Sequence, residues 1–447
     1  MGLFDRLRGN GSPRVAFVGI DGVPYSLLAS NPEEFPTFAT LAEEGSAGEI
    51  SSIVPPESSA CWPALTTGMN PGETGVYGFQ DREVGTYDTY VPMGREVQAE
   101  RVWDRVATEG RAATVMNVPV TFPPQRDVKR MVSGFLSPGL ENAALPESFR
   151  AELDSMGYRI DVDPKLGHEE DKTAFLEDAH EVVDARFEAF SRYIEADDWD
   201  LFFGVFMTTD RVNHFLFRDY ERDGKYREEF LEFYRKLDEY VGRLREALPE
   251  DVTLILASDH GFTSLEYEVH CNEWLREEGW LAFDTDEPTE LNDIADDTRA
   301  YSFIPGRFYL NLEGREPRGS VPESAYDEVR DELEARLLEF EAPNGERVID
   351  RVVRKEAAFR GDHDEIAPDL VAIPREGYDL KAGFSGENGV FDTGPRNGMH
   401  SFEDAALFID EPSATIEDVD LYDLAPTILE LMDVEYSRGE FDGASIV

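Results

Sequence analysis

Three apolar runs in this chain each lead into an acid. Asp21 follows RVAFVGI (14–20), Asp210 follows LFFGVFMTT (201–209), and the pair Asp259-His260 follows VTLILAS (252–258). His400, in NGMHSFEDAALFI, stands just before a further apolar run. In TTDRVNH, Asp210 and His214 are four apart, so one helical turn sets both on the same side. Carboxylates and imidazoles gathered in this way suit Zn²⁺ or a similar divalent transition metal. The ordinary alternative is that an Asp after a strand is a turn residue or a helix cap. A lone His is more often structural than a ligand, and that role is assigned to His168, His180, His270 and His363.

A nucleophile is offered by VPPESSACWPALTTGMNPGETG, where Ser58, Ser59 and Cys61 stand at the head of a helical stretch. The residue types alone do not choose among the three. The choice depends on which of them meets the acids and histidines in space.

In open α/β sheets, ligands bind outside the carboxyl ends of the strands, which is where these acids fall. The runs at 14–20, 112–118, 200–207, 252–258, 368–374 and 405–409 read as buried strands. Between them lie long helical patterns at 172–195 and 225–248. Strands alternating with helices predict an α/β fold, a central mostly parallel sheet with helices on both faces. Residues 1–12 read as a tail, and 13–447 as a single catalytic domain. Longer, more polar stretches at 140–195 and 268–367 read as cap or subdomain insertions. DLYDLAPTILELMDV reads as a C-terminal packing helix.

The chain of 447 residues carries 94 Asp and Glu against 42 Lys and Arg, of which only 7 are Lys, for a formal charge of −52. The acids are interleaved with apolar residues along the whole length, which argues against a disordered acidic tail. Such a charge repels itself in dilute buffer and is screened in molar salt. It reads as the surface of a halophile's cytoplasmic protein, and it disfavours nucleic-acid binding through phosphate contacts. The start has no apolar segment of signal-peptide length, Arg6 stands where a myristoylation pattern wants Ser or Thr, and no apolar run approaches transmembrane length. Cys61 and Cys271 are too few for a disulfide framework.

IDG, PPESSACWPALTTG, DRVNH, SDHGF and GMHS, in that order, resemble the alkaline phosphatase superfamily. The branch they resemble is the type I phosphodiesterase/nucleotide pyrophosphatase group and the phosphohydrolase and phosphomutase proteins near it. TGMNPGETGVYGF, MNVPVTFPP and DLAPTILELMD extend the likeness from about Val15 to Met432. The resemblance implies two divalent metals, Zn²⁺ first, with Mn²⁺ and Fe²⁺ as alternatives. One is held by Asp21, Ser58, Asp259 and His260, the other by Asp210, His214 and His400. It also implies a nucleophile ten residues before Gly68, which selects Ser58. The Cys-x-Pro-x-Arg motif of the related sulfatases is not met at Cys61, because Leu65 stands where the Arg would be.

The reading is a metal-dependent phosphohydrolase with a covalent phosphoseryl-type intermediate on Ser58, acting on a small phosphorylated substrate rather than nucleic acid or a membrane. Nothing in the sequence sets an oligomeric state. Between Arg14 and Arg82 there is no Lys or Arg to flank Ser58. A singly charged diester or a nucleotide anhydride is therefore preferred over a monoester dianion. A phosphomutase uses the same intermediate, and a non-catalytic binder of phosphorylated ligands would keep the residues without turnover.

Overall fold

A computed structural model describes residues 12–286, 288–383 and 389–447; the expected tail over 1–12 lies, up to residue 11, outside the described residues. Strand β1 (Arg14–Ile20) is buried along its whole length, as its unbroken apolar run requires. With β2 (Ser46–Ile50), β3 (Ala113–Val118), β4 (Arg130–Ser133), β5 (Ala144–Leu145), β6 (Leu201–Phe206), β7 (Val252–Ala257) and a last strand, Ala405–Ile409, it forms an eight-stranded sheet. The order is β2, Ala405–Ile409, β7, β1, β6, β3, β4, β5. From β7 to β4 all pairings are parallel, while Ala405–Ile409 and β5 run antiparallel to their neighbours.

Alternation along β1 divides the core in two. Ala16, Val18 and Ile20 pack on one side, under α2 (Thr173–Glu195), α3 (Thr208–Glu221) and α4 (Arg227–Ala247). Val15 and Phe17 pack on the other, with α1 (Ser58–Thr67) and the C-terminal helix Leu424–Leu431. The fold is the expected one, mostly parallel with helices on both faces. Of the stretch at 140–195, α2 lies on the central sheet, where Phe190 packs 5.3 Å from Phe202 and 4.9 Å from Phe206.

A second, smaller sheet joins Ala300–Phe303, Arg307–Leu310, Leu370–Pro374 and Ile349–Arg354, all antiparallel. It has its own apolar cluster around Tyr301, Phe308 and Leu333. The run at 368–374 therefore forms a strand, but in this sheet and not the central one. Its apolar length is the same in either setting, because both sheets bury it. Fully buried ion pairs, Arg307–Asp81 at 2.5 Å and Arg82–Glu316 at 3.1 Å, tie the region of this smaller sheet to a separate two-stranded ribbon, Asp81–Arg82 with Thr89–Tyr90.

Candidate active site

Strand β1, helices α1 and α3, and the segments around β7 and the short ribbon beyond it each deliver one part of the site. Asp21 continues β1 with the parity of Val15 and Phe17, so it faces α1. Gly19, of the same parity, lets Trp62 cross the strand: a Cβ there would lie 2.4 Å from the Trp62 ring. Trp62 Nε1 then donates to Asp21 Oδ2 at 2.7 Å. Helix α1 begins at Ser58 and ends against Gly68, whose φ of +67° is the left-handed cap that stops a helix. The ten-residue interval from Ser58 to Gly68 is the length of this helix, Ser58–Thr67. Asp210 lies in the first turn of α3, with His214 one turn on and its Nε2 3.3 Å from Asp210 Oδ1. Asp259 and His260 join β7 to a short strand, β8 (Gly261–Ser264), which pairs antiparallel with β9 (Gly398–Ser401) so that His400 lies opposite Phe262.

All seven sequence-selected residues meet at one place. Oxygen or nitrogen atoms of Asp21, Asp259 and His260 lie within 4.8 Å of one another, and so do those of Asp210, His260 and His400. His400 Nε2 is 3.1 Å from His214 Nε2 and 3.2 Å from Asp210 Oδ1. Ser58 Oγ is 3.2 Å from His260 Nε2 and 3.5 Å from Asp21 Oδ1. The Nδ1 atoms of His214, His260 and His400 lie 3.3, 3.0 and 3.1 Å from the carbonyls of Gly398, Gly261 and Pro56. A carbonyl only accepts, so each Nδ1 carries a proton, and the neutral rings of His214 and His260 turn an Nε2 lone pair inward. Asp259 Oδ2 is buried with no hydrogen-bond partner. Acceptors facing acceptors in this way fit divalent cations, which take nitrogen and oxygen lone pairs.

The electrostatics agree. Burial, then the charges of Asp259 and Asp210, holds Asp21 well above the carboxylate range, and burial pushes Asp259 up to about 7. Burial drives His260 down to about 3 and His214 well below its ordinary value. For Asp210 burial acts upward, but His214, His400 and Arg211 outweigh it and hold the group low. For His400 burial acts downward, and Asp210 more than reverses it. Ionising all three carboxyls together would thus place more negative charge here than the residues of the site neutralise.

Sequence reasoning missed several residues. Besides Trp62, Thr209 Oγ1 donates to the Asp21 carbonyl at 2.6 Å, and Asn213 Nδ2 to the Gly22 carbonyl at 2.6 Å. The signal for Trp62 was its place one turn after Ser58 on the same helix. Arg211 supplies the cation absent from the sequence around Ser58. It lines the cavity, but its guanidinium is engaged by Asp161 at 2.8 Å and Asp210 at 3.1 Å. Cys61 and Cys271 are both free and buried in different clusters. Of the histidines read as structural, exposed His168 lies at the cavity edge against Phe215, with ring centroids 5.3 Å apart.

Ser58, Asp210, His214 and His400 open onto a cavity of about 2010 Å³ between the two sheets, with Asp21, Asp259 and His260 fully buried. No helix among the described residues is long and apolar enough to cross a membrane. Similar solved structures include phosphonoacetate hydrolase from Sinorhizobium meliloti 1021 in complex with phosphonoacetate, at TM-score 0.64 and 16% identity, with 95% of this chain and 96% of that one covered. Murine ectonucleotide pyrophosphatase/phosphodiesterase 5, an inactive variant in complex with AMP, gives 0.56 and 15%, over 96% and 97%. The human protein gives 0.56 and 13%, over 96% and 97%. At these identities the likeness is one of fold. No curated protein matches the chain in sequence. The model of the family Type I phosphodiesterase / nucleotide pyrophosphatase matches residues 15–403, a span that holds all seven site residues. The chain belongs to that family, whose members hydrolyse phosphoric ester and anhydride bonds.

Proposed function

We propose that this protein is a metal-dependent phosphodiesterase or nucleotide pyrophosphatase that works through a phosphoseryl intermediate on Ser58. One observation carries the choice of nucleophile. Of the three candidates, Ser58 lines the cavity, while Ser59 Oγ is buried without a partner and Cys61 Sγ packs 3.3 Å from Ser52 Oγ. Asp21, Asp259 and His260 would hold one divalent cation beside Ser58, and Asp210, His214 and His400 the other. Such cations, Zn²⁺ foremost, supply positive charge that lowers the pKa of a neighbouring hydroxyl and neutralises phosphoryl oxygens. Ser58 Oγ attacks phosphorus as the bond to the leaving oxygen breaks, and water then cleaves the phosphoseryl ester. Trp62 holds Asp21 from behind through its N–H, and Thr209 fixes the backbone of the same residue.

Because Arg211 is neutralised by two carboxylates, the protein itself offers little net positive charge beside Ser58. That favours a diester or anhydride over a monoester dianion. The neighbours solved with phosphonoacetate and AMP hold small phosphorus-bearing ligands, which supports a small phosphorylated substrate here. We further assign the smaller sheet to a cap on one catalytic domain, and the acidic surface to a salt-rich cytoplasm. In the test, Ser58→Ala loses nearly all turnover, Ser59→Ala and Cys61→Ala keep most of it, and Asp259→Asn loses metal and rate together. The parent turns over an aryl phosphodiester with higher kcat/KM than the matching monoester, releasing the alcohol. A Ser58→Ala variant as active as the parent would defeat the covalent mechanism; isomerisation of a sugar phosphate without hydrolysis would make the protein a mutase.

A further inference from the structure

The cavity of about 2010 Å³ is large beside the roughly 300–1,000 Å³ of pockets that enclose a drug-sized ligand. A single phosphoryl group at Ser58 leaves most of it unfilled. Six arginines line it, and three of them, Arg211, Arg227 and Arg351, are paired with Asp161, Asp223 and Asp350; the others are Arg347, Arg375 and Arg396. In a chain with 94 acidic residues an arginine ordinarily has a carboxylate, as Arg211, Arg307, Arg315 and Arg330 do. Arg347, Arg375 and Arg396 make no side-chain hydrogen bond or ion pair with any described residue. Arg126 and Arg438 share that state outside the cavity, where both are exposed; of the three in the cavity Arg347 and Arg375 are exposed as well, and Arg396 is half-buried.

Their places in the fold are ordered. Arg396 precedes β9, the strand that carries His400, and its positive field acts on His214 and Asp379. Asp379 is itself paired with Lys381, so it does not consume the Arg396 charge. Arg347 and Arg375 lie farther out, at one corner of the smaller sheet, where Arg375 N donates to the Val348 carbonyl at 2.8 Å and Ile349 pairs with Pro374. The guanidinium is a planar fork of donors that matches phosphate oxygens two at a time.

We propose that the substrate carries a terminal phosphate beyond the scissile phosphoryl group, bound by Arg396, with Arg347 and Arg375 at the outer rim of the same cavity. This rests on the phosphohydrolase reading, and names the substrate class that site takes. The test compares two phosphodiesters of p-nitrophenol whose second arm is either propyl or 3-phosphopropyl, at one fixed KCl concentration. The parent favours the phosphate-bearing arm by about tenfold in kcat/KM, through KM, the size expected of one charge-assisted contact. Arg396→Gln brings the kcat/KM ratio of the two diesters down to about one, whatever the change in the propyl diester alone, and Arg396→Lys restores part of the ratio. Arg126→Gln, the same charge change placed elsewhere, leaves the preference intact. Equal kcat/KM for the two diesters in the parent, or equal losses in Arg396→Gln and Arg126→Gln, overturns the inference. If neither diester releases p-nitrophenol, the hydrolase reading fails, and calorimetry still decides the second site. Propane-1,3-bisphosphonate then binds the parent about tenfold more tightly than propylphosphonate, and Arg396→Gln abolishes the difference. Equal affinities in the parent overturn it.

Discussion

Three imidazoles commit their Nδ1 protons to backbone carbonyls, and this decides how protons and cations compete at the centre. Burial keeps His260 and His214 deprotonated at neutral pH, so neither must lose a proton to accept a metal. Asp259 differs, because burial raises its pKa to about 7. Below that value it holds a proton that a bound cation must displace, and above it the carboxylate is free. His400, raised by Asp210, adds to the effect in the same direction. Zn²⁺ affinity of the metal-free protein, read by competition with a chromophoric chelator, therefore falls by about tenfold or more from pH 8 to pH 6. An affinity unchanged over that interval would mean that Asp259 does not bind the cation. At this scale the sequence was readable where chemistry coincides with a local pattern. Asp21, Asp210 and Asp259 stand after apolar runs, and His214 is one helical turn from Asp210. His400 carried no local pattern beyond preceding a strand, since its place depends on pairing with β8, far away in the chain. Arg211 with Asp161, and Trp62 with Asp21, are partnerships made only by folding.

The elements explain why the motifs have their spacing. The interval from Ser58 to Gly68 is one ten-residue helix closed by a left-handed residue, so the motif measures an element rather than a chemical requirement. Gly19 serves the crossing of α1 over β1. Gly19→Ala would place a methyl 2.4 Å from the Trp62 ring and move the indole off Asp21. Overpacking of this kind costs about 1–3 kcal/mol. The expected result is a lower melting temperature together with a loss of metal affinity of about 10–100-fold, the range for removing a group that orients a ligand. Trp62→Phe, which removes the N–H without crowding the strand, shows the metal loss with less of the stability loss. Full metal affinity in both variants would show that the indole does not position Asp21. Strand and helix positions were legible because burial on both faces demands unbroken apolar runs. Which sheet a run joins was not, as 368–374 shows: its residues satisfy a buried antiparallel strand as well as a parallel one.

For the whole molecule the decisive quantity is charge. Asp and Glu exceed Lys and Arg by enough to give −52, and among the described residues the exposed large apolar side chains are Val84 and Val447. Salt has two opposing effects on such a surface. It weakens exposed ion pairs such as Arg299–Glu332 and Arg336–Glu339, each worth about 0–1 kcal/mol. It also weakens repulsion among carboxylates that outnumber every available cation. The second effect wins, because each surplus acid repels many others while each arginine stabilises one or two. Over the change from 0.1 M to 1 M salt the screening length shrinks from about 10 Å to about 3 Å, less than the typical spacing of surface charges. The melting temperature therefore rises from dilute buffer to molar KCl, with NaCl at equal ionic strength giving a similar rise, since screening does not distinguish the two cations. A melting temperature that is flat or falls across that range would show that ion pairing, rather than repulsion, governs the surface, and the assignment to a salt-rich cytoplasm would fall with it.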